Sequence, residues 1–235
     1  MNTHKDPEPD TTKQSALVFD LDGTLYSGDQ IFERWAEYMQ EGMLSSNRSV
    51  FATTVADHLI SRGTARFDNW EAMVNLAEPW VVDHRVWEMA FWNTRRDVLV
   101  GKIPLDVPVG LPGFLESLKE RAVVVLVTNS PPKAAGPLLD RLGIFSCFDQ
   151  VVTDARKPQG LIDVGQTYFP HVPVQRRLSI GDSYRHDIEP AVRQGWLTGH
   201  VSPREVFIGP STWRARRIDE LMDVIRQFVD HNDEI

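Results

Sequence analysis

Polarity along the chain falls into two rhythms. Short unbroken apolar runs at residues 16–20, 123–129, 151–153 and 178–182 read as buried strands, and a weaker run at 198–202 reads as a fifth. Between them, apolar residues recur at three- and four-residue spacing. This predicts helices over 114–121 after the turn Leu111-Pro112-Gly113, over 133–142 after Pro131-Pro132, and over 161–168, 188–194 and 218–229. Strands that alternate with helices need crossover connections, so the expected fold is α/β, a parallel sheet covered on both faces in a Rossmann-like three-layer domain.

Residues 29–108 have a different texture, with no strand signal. Ile31, Trp35, Tyr38 or Met39, and Met43 recur at helical spacing, as do Phe51, Val55, His58 and Leu59. Trp70, Met73, Val74 and Ala77 follow a candidate N-cap at Asp68, and Pro79 is placed to start a further helix through Trp92. The segment reads as an all-helical insert between the first and second strands. It holds Trp35, Trp70, Trp80, Trp87 and Trp92, five of the chain's 7 tryptophans, which are expected mostly to form the core of a small bundle, with one or two left to line a pocket. The division is therefore a polar tail at 1–14, a core domain from 15–28 and 109–235, and a helical domain at 29–108.

Composition narrows the functional classes. At 235 residues with 42% hydrophobic content the chain can bury a full core without staples. A net charge of -8 argues against nucleic-acid binding, and the basic run from Trp213 to Arg217 reads as a solvated patch. No apolar run is long enough to span a membrane, and MNTHKDPEPDTTKQ lacks the apolar heart of a signal peptide, so a cytoplasmic protein without membrane partners is expected. The single cysteine, Cys147, excludes an intrachain disulfide and reads as a small core residue.

The predicted strands end in polar residues, where parallel sheets place their ligands. The first ends VFDLDGTLY, and side chains two apart on a strand point the same way, so Asp20 and Asp22 converge. Convergent carboxylates repel. Relief comes from a cation, a shared proton, or separate duties as nucleophile and acid. Thr128 and Asn129 end the second strand and Asp182 ends the fourth, while Lys157-Pro158 lies in a loop and Asp187 precedes a predicted helix that it could cap.

Taken in order, DLDGTLY at 20–26, VTNS at 127–130, Lys157-Pro158 and GDSYRHD at 181–187 resemble the haloacid dehalogenase superfamily, mostly phosphatases, in which a helical insert after the first motif closes over the phosphate site. The resemblance implies a Mg²⁺-dependent phosphatase acting on a small phosphate ester. Asp20 would be the nucleophile that forms an aspartyl-phosphate, and Asp22 the acid and base that serves the leaving group and then the water. Gly23, Thr128, Asn129 and Lys157 would hold the phosphoryl oxygens. Asp20, Asp182 and the Asp22 main-chain carbonyl would ligate Mg²⁺, with Asp187 orienting Lys157 or a metal-bound water.

Two positions depart from the family pattern. His186 stands where asparagine is frequent, and Gln159-Gly160 where Asp-Pro is common; His186 is read as a loop residue because Asp22 already fills the base role. Arg34, Arg95 and Arg96 are candidate grips for an anionic substrate, and Arg185 could reach one, though for each the solvated reading is favoured. The alternatives are a 2-haloacid dehalogenase, against which Asp22 argues, a phosphomutase, and an inactive binding protein. Substrate identity and oligomeric state are left open.

Overall fold

The computed structural model describes residues 12–60 and 69–230. Among these, six strands, β1 (Ser15–Phe19), β2 (Ala122–Val127), β3 (Gln150–Val152), β4 (Arg177–Gly181), β5 (Leu197–Val201) and β6 (Trp213–Ala215), form one parallel sheet in the order β3-β2-β1-β4-β5-β6. Helices α1 (Gln30–Met39), α2 (Ser45–Ile60), α3 (Asn69–Ala77) and α4 (His84–Leu99) separate β1 from β2, with α5 (Leu111–Lys119) leading into β2. Helices α6 (Pro132–Leu142), α7 (Gln159–Tyr168), α8 (Glu189–Arg193) and α9 (Met222–Asp230) follow.

The sequences SALVF and AVVVLV are buried at every position because the two central strands are covered on both sides. Their alternate residues divide between the two faces. Leu17, Phe19, Val124 and Leu126 pack with Phe114, Leu138 and Ile225 on the side of α5, α6 and α9. Ala16, Val18, Val123 and Val125 pack with Leu161, Val164 and Ala191 on the side of α7 and α8. The chain winds from β1 through β2 to β3 on one side and through β4, β5 and β6 on the other. β1 and β4 are adjacent, and the crevice where strand order reverses opens at their carboxyl ends.

Four details differ from the sequence reading. All five expected strands stop one or two residues early, so Asp20, Thr128 and Asp182 are the first residues of their loops. β6 lies where the sequence shows only a basic patch: it is a three-residue edge strand with Arg214 exposed, which leaves no apolar run to detect, although Arg214 and Arg216 are indeed solvated. Helix α4 starts at His84 rather than Pro79, because the Asp83 side chain accepts the Arg85 N–H at 2.9 Å as an N-cap, and it runs to Leu99. Residues 184–188, expected partly as loop, wind into a single π-helical segment. Of the stretch read as a tail, residues 1–11 lie outside the described residues, as does the proposed N-cap Asp68; Lys13 pairs with Asp149 at 2.9 Å.

The helices between β1 and β2 have a core of their own, built from Phe32, Trp35, Met39, Phe51, Val55, Leu59 and Met73, with Trp70, Trp80 and Trp87 partly buried against it and Trp92 exposed. Fully buried Asp97 ties α4 to α1: it accepts from Arg34 Nε at 2.9 Å and from the Tyr38 hydroxyl at 2.6 Å. Arg34 is thereby committed within the helical segment. The two connectors to the sheet are paired to each other, Ser27 N to Asp106 O at 3.0 Å and Asp106 N to Ser27 O at 2.9 Å. No helix among the described residues is long and apolar enough to cross a membrane.

Asp97→Ala removes the acceptor that both α1 side chains share. A loss of about 1 kcal/mol is expected for the partly buried Arg34 and Tyr38 donors left behind, seen in a thermal melt as a fall in Tm of roughly 2–4 °C for a chain of this size. An unchanged Tm would show that the α1–α4 contact is held by apolar packing alone.

Candidate active site

The residue after β1, Asp20, is 7% exposed and enters the crevice between the ends of β2 and β4. One of its carboxylate oxygens accepts from Lys157 Nζ at 2.6 Å, and the other accepts from the Thr24 hydroxyl at 3.2 Å, so the carboxylate plane is fixed from both sides. The same ammonium reaches Asp187 Oδ1, also at 2.6 Å. Burial raises the Asp20 carboxyl above its ordinary value, with Asp187 adding to the push and Lys157 opposing it. Burial also works against the Lys157 charge, but the Asp187 and Asp20 carboxylates outweigh it and keep the ammonium protonated.

Each partner is itself positioned. Lys157 is carried by a loop whose main-chain N–H donates to Asn129 Oδ1 at 2.8 Å, so Asn129 ties the β2 end to the lysine as well as lining the cavity. Thr128 is buried, and its hydroxyl accepts from Ser130 N at 3.1 Å. Asp187 Oδ2 accepts from Ser183 N at 3.1 Å, so this carboxylate serves Lys157 and the turn after β4 rather than the start of α8. His200 on β5 is buried, which holds its pKa below the ordinary histidine value; the neutral ring donates from Nε2 to the Asp182 carbonyl at 3.2 Å.

Oxygens of Asp20, Asp182 and Asp187 lie within 4.8 Å of one another. Two glycines make room for them. A Cβ at Gly23, which has φ of 85°, would stand 2.4 Å from Asp182 Oδ2, and a Cβ at Gly181 would stand 2.4 Å from the Asp187 carboxylate. Three converging carboxylates, cradled where a larger residue would displace them, form a hard-oxygen set that fits a small divalent cation. Asp187, expected to orient Lys157 or a metal-bound water, pairs with Lys157 and lies within the cluster, and the Asp22 side chain, for which only the main-chain carbonyl is expected at the metal, is engaged elsewhere.

That engagement comes from the helical segment. Arg95 on α4, 4% exposed, donates from Nη1 to Asp22 Oδ1 at 2.6 Å and to the Tyr26 hydroxyl at 3.1 Å, and from Nη2 to the Ser130 hydroxyl at 3.0 Å. Asp22 also accepts from Ser130 at 2.7 Å and from Tyr26, so both its oxygens are held. Burial alone would raise the Asp22 carboxyl, but Arg95 and the three donated hydrogen bonds hold it below the usual carboxylate range. Rings of Trp70 and Phe91 flank the guanidinium at 5.4 and 5.3 Å.

The solvated reading of Arg95 is therefore wrong, whereas Arg96 is exposed as expected. Arg185 is half-exposed but not free, for it meets Glu71 of α3 at 2.8 Å. Tyr26 and Ser130 carried a usable signal inside their motifs, a phenol four residues after Asp22 and a hydroxyl closing VTNS. Arg95 carried none, since 73 residues separate it from its partner.

The doubly wound sheet with polar strand ends places the molecule in the α/β class that binds ligands at this crevice. A family model for haloacid dehalogenase-like hydrolases matches residues 14–195, and the chain belongs to that family of hydrolases. Solved structures agree on the fold. YfnB from Bacillus subtilis, described as a HAD-hydrolase bound to magnesium, superposes with a TM-score of 0.61 at 20% identity, covering 91% of this chain and 99% of that one. A HAD phosphatase from Thermococcus onnurineus gives 0.57 at 18% identity, with 90% and 97% covered. A Thermotoga maritima protein described as a β-phosphoglucomutase gives 0.61 at 17%, with 91% and 99% covered. Comparison with curated protein sequences gives no match.

Arg95→Met keeps the apolar stem between Trp70 and Phe91 but leaves Asp22 buried without its cation. A loss of about 3 kcal/mol is expected, or roughly 6–12 °C in Tm, and adding Asp22→Asn should return a large part of it. Melting the parent, both single variants and the double variant measures this coupling. Strictly additive losses would show that the pair contributes nothing as a pair.

Proposed function

We propose that this hydrolase is a Mg²⁺-dependent phosphatase that cleaves a small phosphate monoester through an aspartyl-phosphate on Asp20. The observation that carries the reading is the Lys157 ammonium held at 2.6 Å from both Asp20 and Asp187 beside a cluster of three carboxylates. A carboxylate can approach a phosphate dianion only where positive charge is concentrated; Lys157 supplies one such charge beside Asp20, and a divalent cation on the three carboxylates would supply the rest. Asp20, Asp182 and Asp187, with the Asp22 main-chain carbonyl, are the groups that would hold Mg²⁺. When bound, the ion neutralises charge on the cluster and on a phosphoryl oxygen.

The chain's own residues supply the remaining steps. An Asp20 oxygen forms a bond to phosphorus as the bond to the leaving alkoxide breaks, and Asp22 gives that alkoxide a proton. Water then attacks the phosphoryl group, Asp22 takes its proton, and phosphate leaves with Asp20 restored. Thr128, Asn129, Gly23 and Lys157 line the cavity and supply donors to the phosphoryl oxygens. With Arg95 on it, Asp22 is a carboxylate, which suits the water-activating half of the cycle. For the first half Asp22 carries the proton that it hands to the alkoxide, which in this reading requires Arg95 to loosen its hold on that carboxylate. Residues 29–108 act in this reading as a cap that excludes water and selects substrate.

Asp20→Asn should lower kcat by roughly a thousandfold or more, since it removes the covalent step. In chelator its Tm should equal or exceed the parent's, because one of the crowded negative charges is gone. Retention of more than about a tenth of the parent kcat would remove Asp20 as nucleophile.

Phosphate release from a panel of monoesters should stop in chelator and return with Mg²⁺, Ca²⁺ being a poor substitute because its larger, looser shell misplaces the in-line geometry. Full activity in chelator, with halide released from a 2-haloacid, would overturn the phosphatase reading in favour of a dehalogenase.

A further inference from the structure

The cavity over Asp20 measures about 370 Å³, toward the small end of the roughly 300–1,000 Å³ typical of small-molecule sites. Its two sides differ in chemistry. The floor is the polar set at the strand ends, and the opposite wall, formed by the helical segment, contains Phe32, Trp70, Val74 and Phe91. Trp70 is the centre of this wall, meeting Phe32 edge-on at 5.0 Å and Phe91 at 6.3 Å. Among the described residues only Glu71 and Arg95 add polar groups from that side: Glu71 Oε1 accepts from Arg185 at 2.8 Å, while the two Arg95 Nη atoms hold Asp22, Tyr26 and Ser130 and its Nε is buried without a hydrogen-bond partner.

Resting on the phosphatase reading above, we infer that the wall of Phe32, Trp70, Val74 and Phe91 selects a monoester whose organic part is apolar and aromatic over a polyhydroxylated sugar phosphate. With the phosphoryl group on the polar floor, the body of the ester projects against this wall. A sugar hydroxyl set against Phe32, Trp70, Val74 or Phe91, out of reach of Glu71 and Arg95, would be buried without a partner, at a cost of roughly five- to a hundredfold in affinity. A ring finds edges and faces of Trp70 and Phe91 to pack against, and displaces water from a surface that holds it weakly. Val74 is partly exposed at the rim and extends the apolar surface toward solvent.

The test uses three esters of primary alcohols, so that leaving-group chemistry is shared: 3-phenylpropyl phosphate, glycerol 1-phosphate and glucose 6-phosphate, with the full chain in Mg²⁺. The kcat/KM for the phenylpropyl ester should exceed that for either polyol ester by at least about tenfold, and Phe91→Ala should collapse that ratio toward one. If Phe91→Ala does not fold, Val74→Ser at the exposed rim should reduce the ratio about threefold. A parent ratio at or below one, or a ratio that folded variants leave unchanged, overturns the inference. If no ester is hydrolysed, the phosphatase reading falls, and the wall is judged by binding alone. Calorimetry should then show 3-phenylpropylphosphonate binding at least about tenfold tighter than 3,4-dihydroxybutylphosphonate, and equal affinities would overturn the inference.

Discussion

One ammonium group holds the site together. Asp20 and Asp187 arrive from separate strand ends, and bringing them within reach of each other and of Asp182 concentrates negative charge in a place with little water. Lys157 Nζ sits between two of them at 2.6 Å. Leaving one partner of such a buried set unmatched costs several times what a surface pair contributes. The rest of the arrangement keeps that lysine in place: Asn129 holds its main chain, Ser183 N–H holds Asp187, and Ser179 on β4 donates its hydroxyl to the Asp187 carbonyl at 2.8 Å. The two glycines follow from the same constraint, for any Cβ at Gly23 or Gly181 would occupy the carboxylates' space.

The sequence revealed most of the sheet because the central strands are buried on both faces and so form unbroken apolar runs. Of the residues it singled out, Asp20, Thr128 and Asp182 directly follow strands, which set their positions, while Lys157 and Asp187, drawn from the resemblance, reach the same crevice from segments beyond β3 and β4. What it hid depends on contacts between distant parts of the chain. Nothing near Arg95 distinguishes it from Arg96, yet one is buried against Asp22 and the other faces solvent; the difference is where a helical face meets the sheet domain. β6 was hidden for the opposite reason, since an edge strand with one exposed arginine in three residues has no period to read. The start of α4 turned on a single capping interaction at Asp83, which outweighed the helix-starting preference of Pro79.

The sheet and the helical segment supply different things to one cavity. Loops at the strand ends bring charge and hydrogen-bond donors, while α1, α3 and α4 bring rings and aliphatic surface, with Arg95 as the exception that crosses the boundary. Two further ion pairs join the halves at the periphery, Arg185 with Glu71 at 2.8 Å and Arg204 with Asp29 at 2.6 Å. Both involve exposed side chains and are weak individually. Arg95, buried and shared among three acceptors, is the strong contact, and it ends on the residue whose proton the reaction needs.

The pairing of Ser27 with Asp106 bears on how such a molecule arises. The chain leaves the sheet and returns to it at neighbouring points, so the sheet experiences everything between them as a loop whose ends already touch. The entropy of closing a loop grows only slowly with its length, and here the closure is held by two main-chain hydrogen bonds that require no particular side chains. The helices in between can therefore be lengthened, shortened or exchanged without altering the register of β1 against β2. A scaffold joined in this way can keep its strand-end chemistry in place while the walls above it are replaced, provided something still meets Asp22 as Arg95 does. That is a route to new substrates which does not pass through a broken core.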